Sequence, residues 1–134
     1  MSDFATFKSL TDLTQAELQT LHEHCFARNM DVNGHQMYMG RDTNTYSQTK
    51  FTFRGRQYHI FRHQLSLFLK LKQDPNFDMD SWDNSVATSH LCAKKKCITQ
   101  EHLNLETLSI NVERNHCVAL GRCTGHSNQV DCLI

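Results

Sequence analysis

The chain has 134 residues, enough for one domain with a modest core and too few for two. Fourteen acidic and fourteen basic residues bring the formal net charge to zero, so the whole-chain balance gives no excess for gripping a polyanion and any basic surface must be local. Met1-Ser2-Asp3-Phe4 lacks the charged and apolar regions of a secretory signal, and no stretch approaches the roughly 20 apolar residues that span a bilayer. The expectation is an intracellular protein with no membrane association, nuclear in a eukaryote and otherwise cytoplasmic.

The first strongly marked element is a helix opening at Thr14. Thr14 and Glu17 form a capping box, and Leu13 before the cap is placed to pack on Leu18. Leu18, Leu21 and Cys25 recur at i, i+3 and i+7, which turns Cys25 inward, either as a core cysteine or as a ligand for a site built elsewhere. Residues 30–48 are polar and punctuated by Asn33-Gly34, Gly40 and Asp42, a pattern of turns and short strands. Lys50-Phe51-Thr52-Phe53-Arg54 then alternates, with both phenylalanines on one face, predicting a half-buried strand with a basic outer face. Gly55 permits a tight turn, and Gln57-Tyr58-His59-Ile60 returns as the second strand with Arg54 and Arg56 flanking the tip.

Phe61 to Lys72 is apolar at 61, 65, 67, 68, 69 and 71, too broad a stripe for a surface helix and suited to a core one. Asp74-Pro75-Asn76 ends it, because proline disfavours helical geometry in the residue before it. An acidic loop runs on to Asn84, with Trp82 as a packing anchor. Charge is segregated along this stretch. Lys50, Arg54, Arg56, Arg62, Lys70 and Lys72 occur with no acid among them, Lys94, Lys95 and Lys96 add to them, and the acids cluster from Asp74 to Asp83. One basic side on a neutral protein is compatible with nucleic-acid binding.

The last third holds five of the six cysteines, Cys92, Cys97, Cys117, Cys123 and Cys132, together with His90, His102, His116 and His126. In a reducing compartment, close-spaced cysteines mixed with histidines point to metal before disulfides. Cys92, Cys97 and His102 are regularly spaced and lack one donor for a tetrahedral ion; Cys25, the only cysteine left over, is the expected fourth. Cys117, Cys123, His126 and Cys132 make a complete second set, with His116 as a competitor for the imidazole position. Two structural Zn2+ ions are therefore expected. Val86 to His90 reads as a strand, and Glu106 to Asn115 as a helix with Asn111 near its middle.

The run Ser89-His90-Leu91-Cys92, then Cys97, Glu101-His102-Leu103, Asn111, Arg114-Asn115 and Cys117, resembles the His-Cys box homing endonucleases, a branch of the ββα-metal (His-Me finger) nucleases. The detailed likeness covers the last third of the chain. It implies a small α+β, zinc-stapled ββα-metal fold with an antiparallel sheet and few helices. It also implies a metal-dependent endonuclease that hydrolyses phosphodiester bonds in double-stranded DNA. His90 would activate water, as a side chain with an ordinary pKa of about 6.5 is able to do. Asn111 would hold one catalytic Mg2+, an ion that prefers oxygen donors and keeps most of its shell for water and phosphate. A cationic side chain of the sheet would touch the scissile phosphate, with Lys50 the first candidate, then Arg54, Arg56 and Arg62. Within one domain, residues 1–48 would form the N-terminal helix and irregular region. Residues 49–84 would form the basic hairpin, core helix and acidic loop, and 85–134 the zinc-bound catalytic region. The chain stops at Ile134, whereas the enzyme it resembles carries a C-terminal extension that helps build a dimer, so monomer and homodimer both stand. The competing expectations are a non-catalytic zinc-stabilised module that binds DNA or protein, and a disulfide-stapled interaction protein.

Overall fold

Thr14 caps helix α2 (Gln15–Phe26) as its sequence predicts: the Glu17 N–H reaches Thr14 Oγ1 at 3.1 Å and the Thr14 N–H reaches Glu17 Oε1 at 3.0 Å. A short helix α1 (Phe4–Lys8) precedes it. The computed structural model describes residues 4–38, 46–126 and 129–134. The turns expected at Gly40 and Asp42 lie outside the described residues.

Strands β1 (Asn29–Val32) and β2 (His35–Tyr38) form a hairpin through Asn33 and Gly34, whose φ angles of 54° and 85° suit a tight two-residue turn. Strands β3 (Gln48–Phe53) and β4 (Arg56–Phe61) pair antiparallel. Phe51, Phe53, Tyr58 and Ile60 go inward, while the opposed pairs Lys50–His59 and Thr52–Gln57 stay exposed. Helix α3 (Arg62–Lys72) is the expected core helix, with Leu65 through Leu69 buried in succession. Trp82 anchors the acidic loop, its ring 4.9 Å from Phe7 and 6.2 Å from Phe68.

Strands β5 (Val86–His90) and β6 (Leu103–Thr107) pair antiparallel, and the segment between them carries Cys92, Cys97 and His102. Helix α4 (Leu108–Leu120) packs on both strands, completing a ββα unit. The helix expected from Glu106 therefore starts later, at Leu108 behind the Thr107 cap, and Glu106 belongs to a strand. The physical cause is tertiary. Glu106 is buried against Arg114, a partner that helical composition cannot reveal. Among the described residues no helix is long and apolar enough to cross a membrane.

Candidate functional site

The ββα unit gathers two groups of soft donors. His35, Cys92, Cys97 and His102 place one ligand atom each within 4.8 Å of one another, and so do Cys117, Cys123, His126 and Cys132. A tetrahedral zinc with Zn–S of about 2.3 Å and Zn–N of about 2.0–2.1 Å separates its donors by about 3.5–3.8 Å. Cys97 Sγ to His102 Nδ1 is 3.5 Å, Cys117 Sγ to His126 Nε2 is 3.6 Å, and His126 Nε2 to Cys132 Sγ is 3.3 Å. Both donor sets fit zinc.

The fourth donor of the first group corrects the sequence expectation: it is His35, and Cys25 takes no part. Turning at Asn33-Gly34 puts His35 at the start of β2, and the hairpin is then sewn to the cysteine loop. The Ile98 N–H donates to Gln36 O at 2.8 Å, the Gln36 N–H to Thr99 Oγ1 at 2.7 Å, and Met37 bridges to Cys97. Cys25 points inward as predicted, but into the hydrophobic core, where its thiol donates to Arg62 O at 3.3 Å. Burial pushes that thiol far above its ordinary pKa, the opposite of what a thiolate ligand needs. Accordingly, His35→Ala should cost the protein the first of its two zinc ions while Cys25→Ala keeps both, as metal analysis of the purified variants will read.

The second group is built by the end of α4. Gly121 adopts φ 76° and returns its N–H to Cys117 O at 2.9 Å, reversing the chain so that Cys123, His126 and Cys132 come back over Cys117. Backbone N–H groups point at the sulfurs: Thr124 to Cys117 at 3.4 Å, Gly125 to Cys123 at 3.4 Å and Cys132 to Cys123 at 3.2 Å. These donors draw the Cys117 and Cys123 thiols below their ordinary pKa, which favours the thiolates a metal requires. Glu113 Oε1 lies 2.9 Å from His126 Nδ1, so that nitrogen carries a hydrogen and Nε2 is left facing the sulfurs. His116 is exposed and outside the group.

The ββα unit also borders a cleft of about 270 Å³ whose wall includes Tyr46, Ser89, His90, Lys95, Asn111, Arg114 and Asn115. His90 ends β5, and Asn111 lies in the first turns of α4. His90 Nε2 is 3.1 Å from Cys97 O. A carbonyl oxygen only accepts, so Nε2 carries the hydrogen and Nδ1 keeps a lone pair. The His90 ring packs 4.6 Å from His63 and 5.8 Å from Tyr46, and burial lowers its pKa to about 4. Burial holds His63 lower still, at about 3. Both imidazoles are neutral at pH 7. Asn111 Nδ2 donates to Ser89 Oγ at 2.7 Å. Lys95 reaches over the Tyr46 ring at 6.0 Å.

The cations chosen from sequence are elsewhere. Arg54, at φ 52° in the hairpin turn, clamps Glu17 through Nε and Nη2, both at 2.7 Å, and donates to Thr11 O and Asp12 O. Arg54 is the main cause that draws the Glu17 carboxylate to about 2. It is thus a structural clasp, because a carboxylate and two carbonyls already occupy its fork. Arg62 is buried and donates to His24 O and Cys25 O, and Arg56 lies 5.1 Å over Tyr58. Lys50 is exposed on the outer face of β3, away from the cleft wall. His35, His63 and Tyr46 are the residues that sequence reasoning passed over; only the Asn33-Gly34 turn ahead of His35 signalled any of them.

No curated protein matches the chain. The family model described as the zinc-binding loop region of homing endonuclease matches residues 24–132, a span that contains both donor groups and every cleft residue named above. With that match running over most of its length, the chain belongs to the homing-endonuclease family that this zinc-binding loop region defines.

Proposed function

We propose that the chain is a divalent-metal-dependent endonuclease that hydrolyses phosphodiester bonds in double-stranded DNA. The observation that carries this reading is the convergence of His90 and Asn111 on one cleft, with the His90 Nε2 hydrogen committed to a backbone carbonyl. Nδ1 is then the acceptor for a water proton, and the neutral ring is ready at physiological pH. Asn111 has its amide nitrogen engaged by Ser89, so its carbonyl oxygen is a single hard donor, a fit for Mg2+ that leaves the rest of the shell to water and phosphate. Mg2+, when bound, neutralises charge on the phosphate and stabilises the leaving 3′ oxygen.

Recognition falls to other parts of the chain. Lys95 places an ammonium at the cleft wall, suited to a nearby phosphate. Lys50, Thr52, Gln57 and His59 make the exposed face of the β3–β4 ribbon polar, and a two-stranded ribbon is narrow enough for the major groove. The zinc ions hold the cysteine loop and the tail in place and take no chemical step.

The test is incubation of zinc-loaded protein with supercoiled plasmid and with a randomised duplex library. Nicking or linearisation that requires Mg2+ and stops with EDTA is the expected result. Intact DNA in both substrates, with DNA still bound, would replace this reading with a non-catalytic zinc-stabilised DNA-binding module.

A further inference from the structure

We propose that Tyr46 and His63 are positioning residues for His90: two rings at the root of the β3–β4 ribbon bear on the imidazole and keep its Nδ1 turned to the cleft. The functional consequence rests on the endonuclease reading, and the geometry rests on ring packing alone.

One polar contact holds the His90 ring, Nε2 to Cys97 O at 3.1 Å. A single hydrogen bond at that end leaves the ring free to rock about the line from Cγ to Nε2, and rocking swings Nδ1 out of line with a water in the cleft. Contact on the faces of the ring stops that motion. His63 supplies one contact at 4.6 Å between centroids and 38° between planes, and Tyr46 another at 5.8 Å and 19°. Tyr46 and His63 also pack on each other, 4.9 Å apart at 28°. All three spacings fall in the range of about 4.5–7 Å that favourably packed rings adopt.

The chain builds this bracket from the open end of the ribbon. Gln48 pairs with Phe61, so two residues further out Tyr46 comes opposite His63. The Arg62 N–H donates to Ser47 O at 2.8 Å and closes the gap between them. His63 is 6% exposed and sits in the first turn of α3, which packs on β5, the strand that ends in His90. A side chain locked in this way is a firm stop for its neighbour. Its Nδ1 makes no hydrogen bond among the described residues, so what His63 gives His90 is a surface rather than a bond through that nitrogen. Tyr46 is half-buried, lines the cleft and carries Lys95 Nζ over its ring at 6.0 Å.

Two readouts test this on zinc-loaded full-length protein whose zinc content has been checked. The first needs neither Mg2+ nor DNA: NMR relaxation at His90 Cε1 should show a ring as rigid as the backbone in wild type and in His63→Phe, which keeps a flat ring, and a mobile one in His63→Ala. Tyr46→Ala should loosen the ring as well, and at its half-buried position it decides the matter even where His63→Ala fails to hold its zinc. The second is single-turnover cleavage measured beside DNA affinity. His63→Ala should cleave at least about 10-fold more slowly with affinity changed less than about twofold, since a misplacement of about 1 Å can cost about 100-fold in rate. His63→Phe should stay within about threefold of wild type, because it restores the flat contact that orients the base. A His90 ring that stays rigid in either alanine variant would overturn the inference. So would a His63→Phe rate as low as that of His63→Ala, which would give His63 its part through a nitrogen. Failure of the endonuclease reading shows separately, as wild-type protein that leaves plasmid intact, and the relaxation data still decide whether the two rings hold His90.

Discussion

A strong chelator that strips zinc from both donor groups should unfold this chain. Structural zinc contributes about 10–16 kcal/mol per site in small peptides at neutral pH, as much as the whole stability of an ordinary domain, about 5–15 kcal/mol. The two donor groups join parts of the chain that are otherwise held by a few hydrogen bonds, such as Gln36 to Ile98 and Thr99, and Arg114 to Val130. His35 of the β1–β2 hairpin meets a loop from the last third, and the residues after α4 meet Cys117. Cys92 and Cys97 are buried side by side, and their mutual hydrogen bond moves their pKa in opposite directions, Cys92 up and Cys97 down. Trp82, buried against Phe7 and Phe68, reports the collapse of the core. Chelation should shift its fluorescence to the red together with loss of the helical circular dichroism, and added zinc should restore both. Retention of both signals in metal-free protein would show that the fold stands on its core alone.

Arg114→Ala destabilises the zinc-loaded protein by about 3–5 kcal/mol, because it strands the buried Glu106 carboxylate without its countercharge. Replacing both, as Glu106→Leu with Arg114→Met, should recover most of the loss, since two apolar groups of similar size leave no buried charge behind. Denaturant unfolding of the three variants reads the difference. The pair also predicts an acid limb. The folded Glu106 pKa lies below its ordinary 4.5, so its contribution is complete above that value and fades as pH falls through the lower folded value. Glu106→Gln should remove that limb from the stability profile.

Local chemistry was legible from the residues, and long-range geometry much less so. The capping box at Thr14, the alternation through Phe51 and Phe53, and the broad apolar stripe of α3 are short-range patterns, and each produced the element it predicts. The second donor group was complete in sequence because its ligands lie within one reversal of the chain. The first was not. Counting cysteines favoured Cys25, and the Asn33-Gly34 turn ahead of His35 marks a hairpin but not a ligand until β2 is seen joined to residues 97–99. Arg54 followed the strand alternation correctly, but the left-handed turn sends its side chain back to Glu17. Glu106 looked helical for want of knowledge that Arg114, eight residues on, would bury it in a strand.

In the proposed reaction His90 and Asn111 perform the chemistry while zinc only holds the frame. Single-turnover cleavage of DNA at saturating protein, comparing wild type with His90→Ala and Asn111→Ala at matched zinc content and DNA affinity, tests it most directly. Rates at least about 100-fold below wild type for both variants are predicted, the usual scale for losing a positioned base. Cleavage at the wild-type rate by either variant would rule out that residue's part in the chemistry.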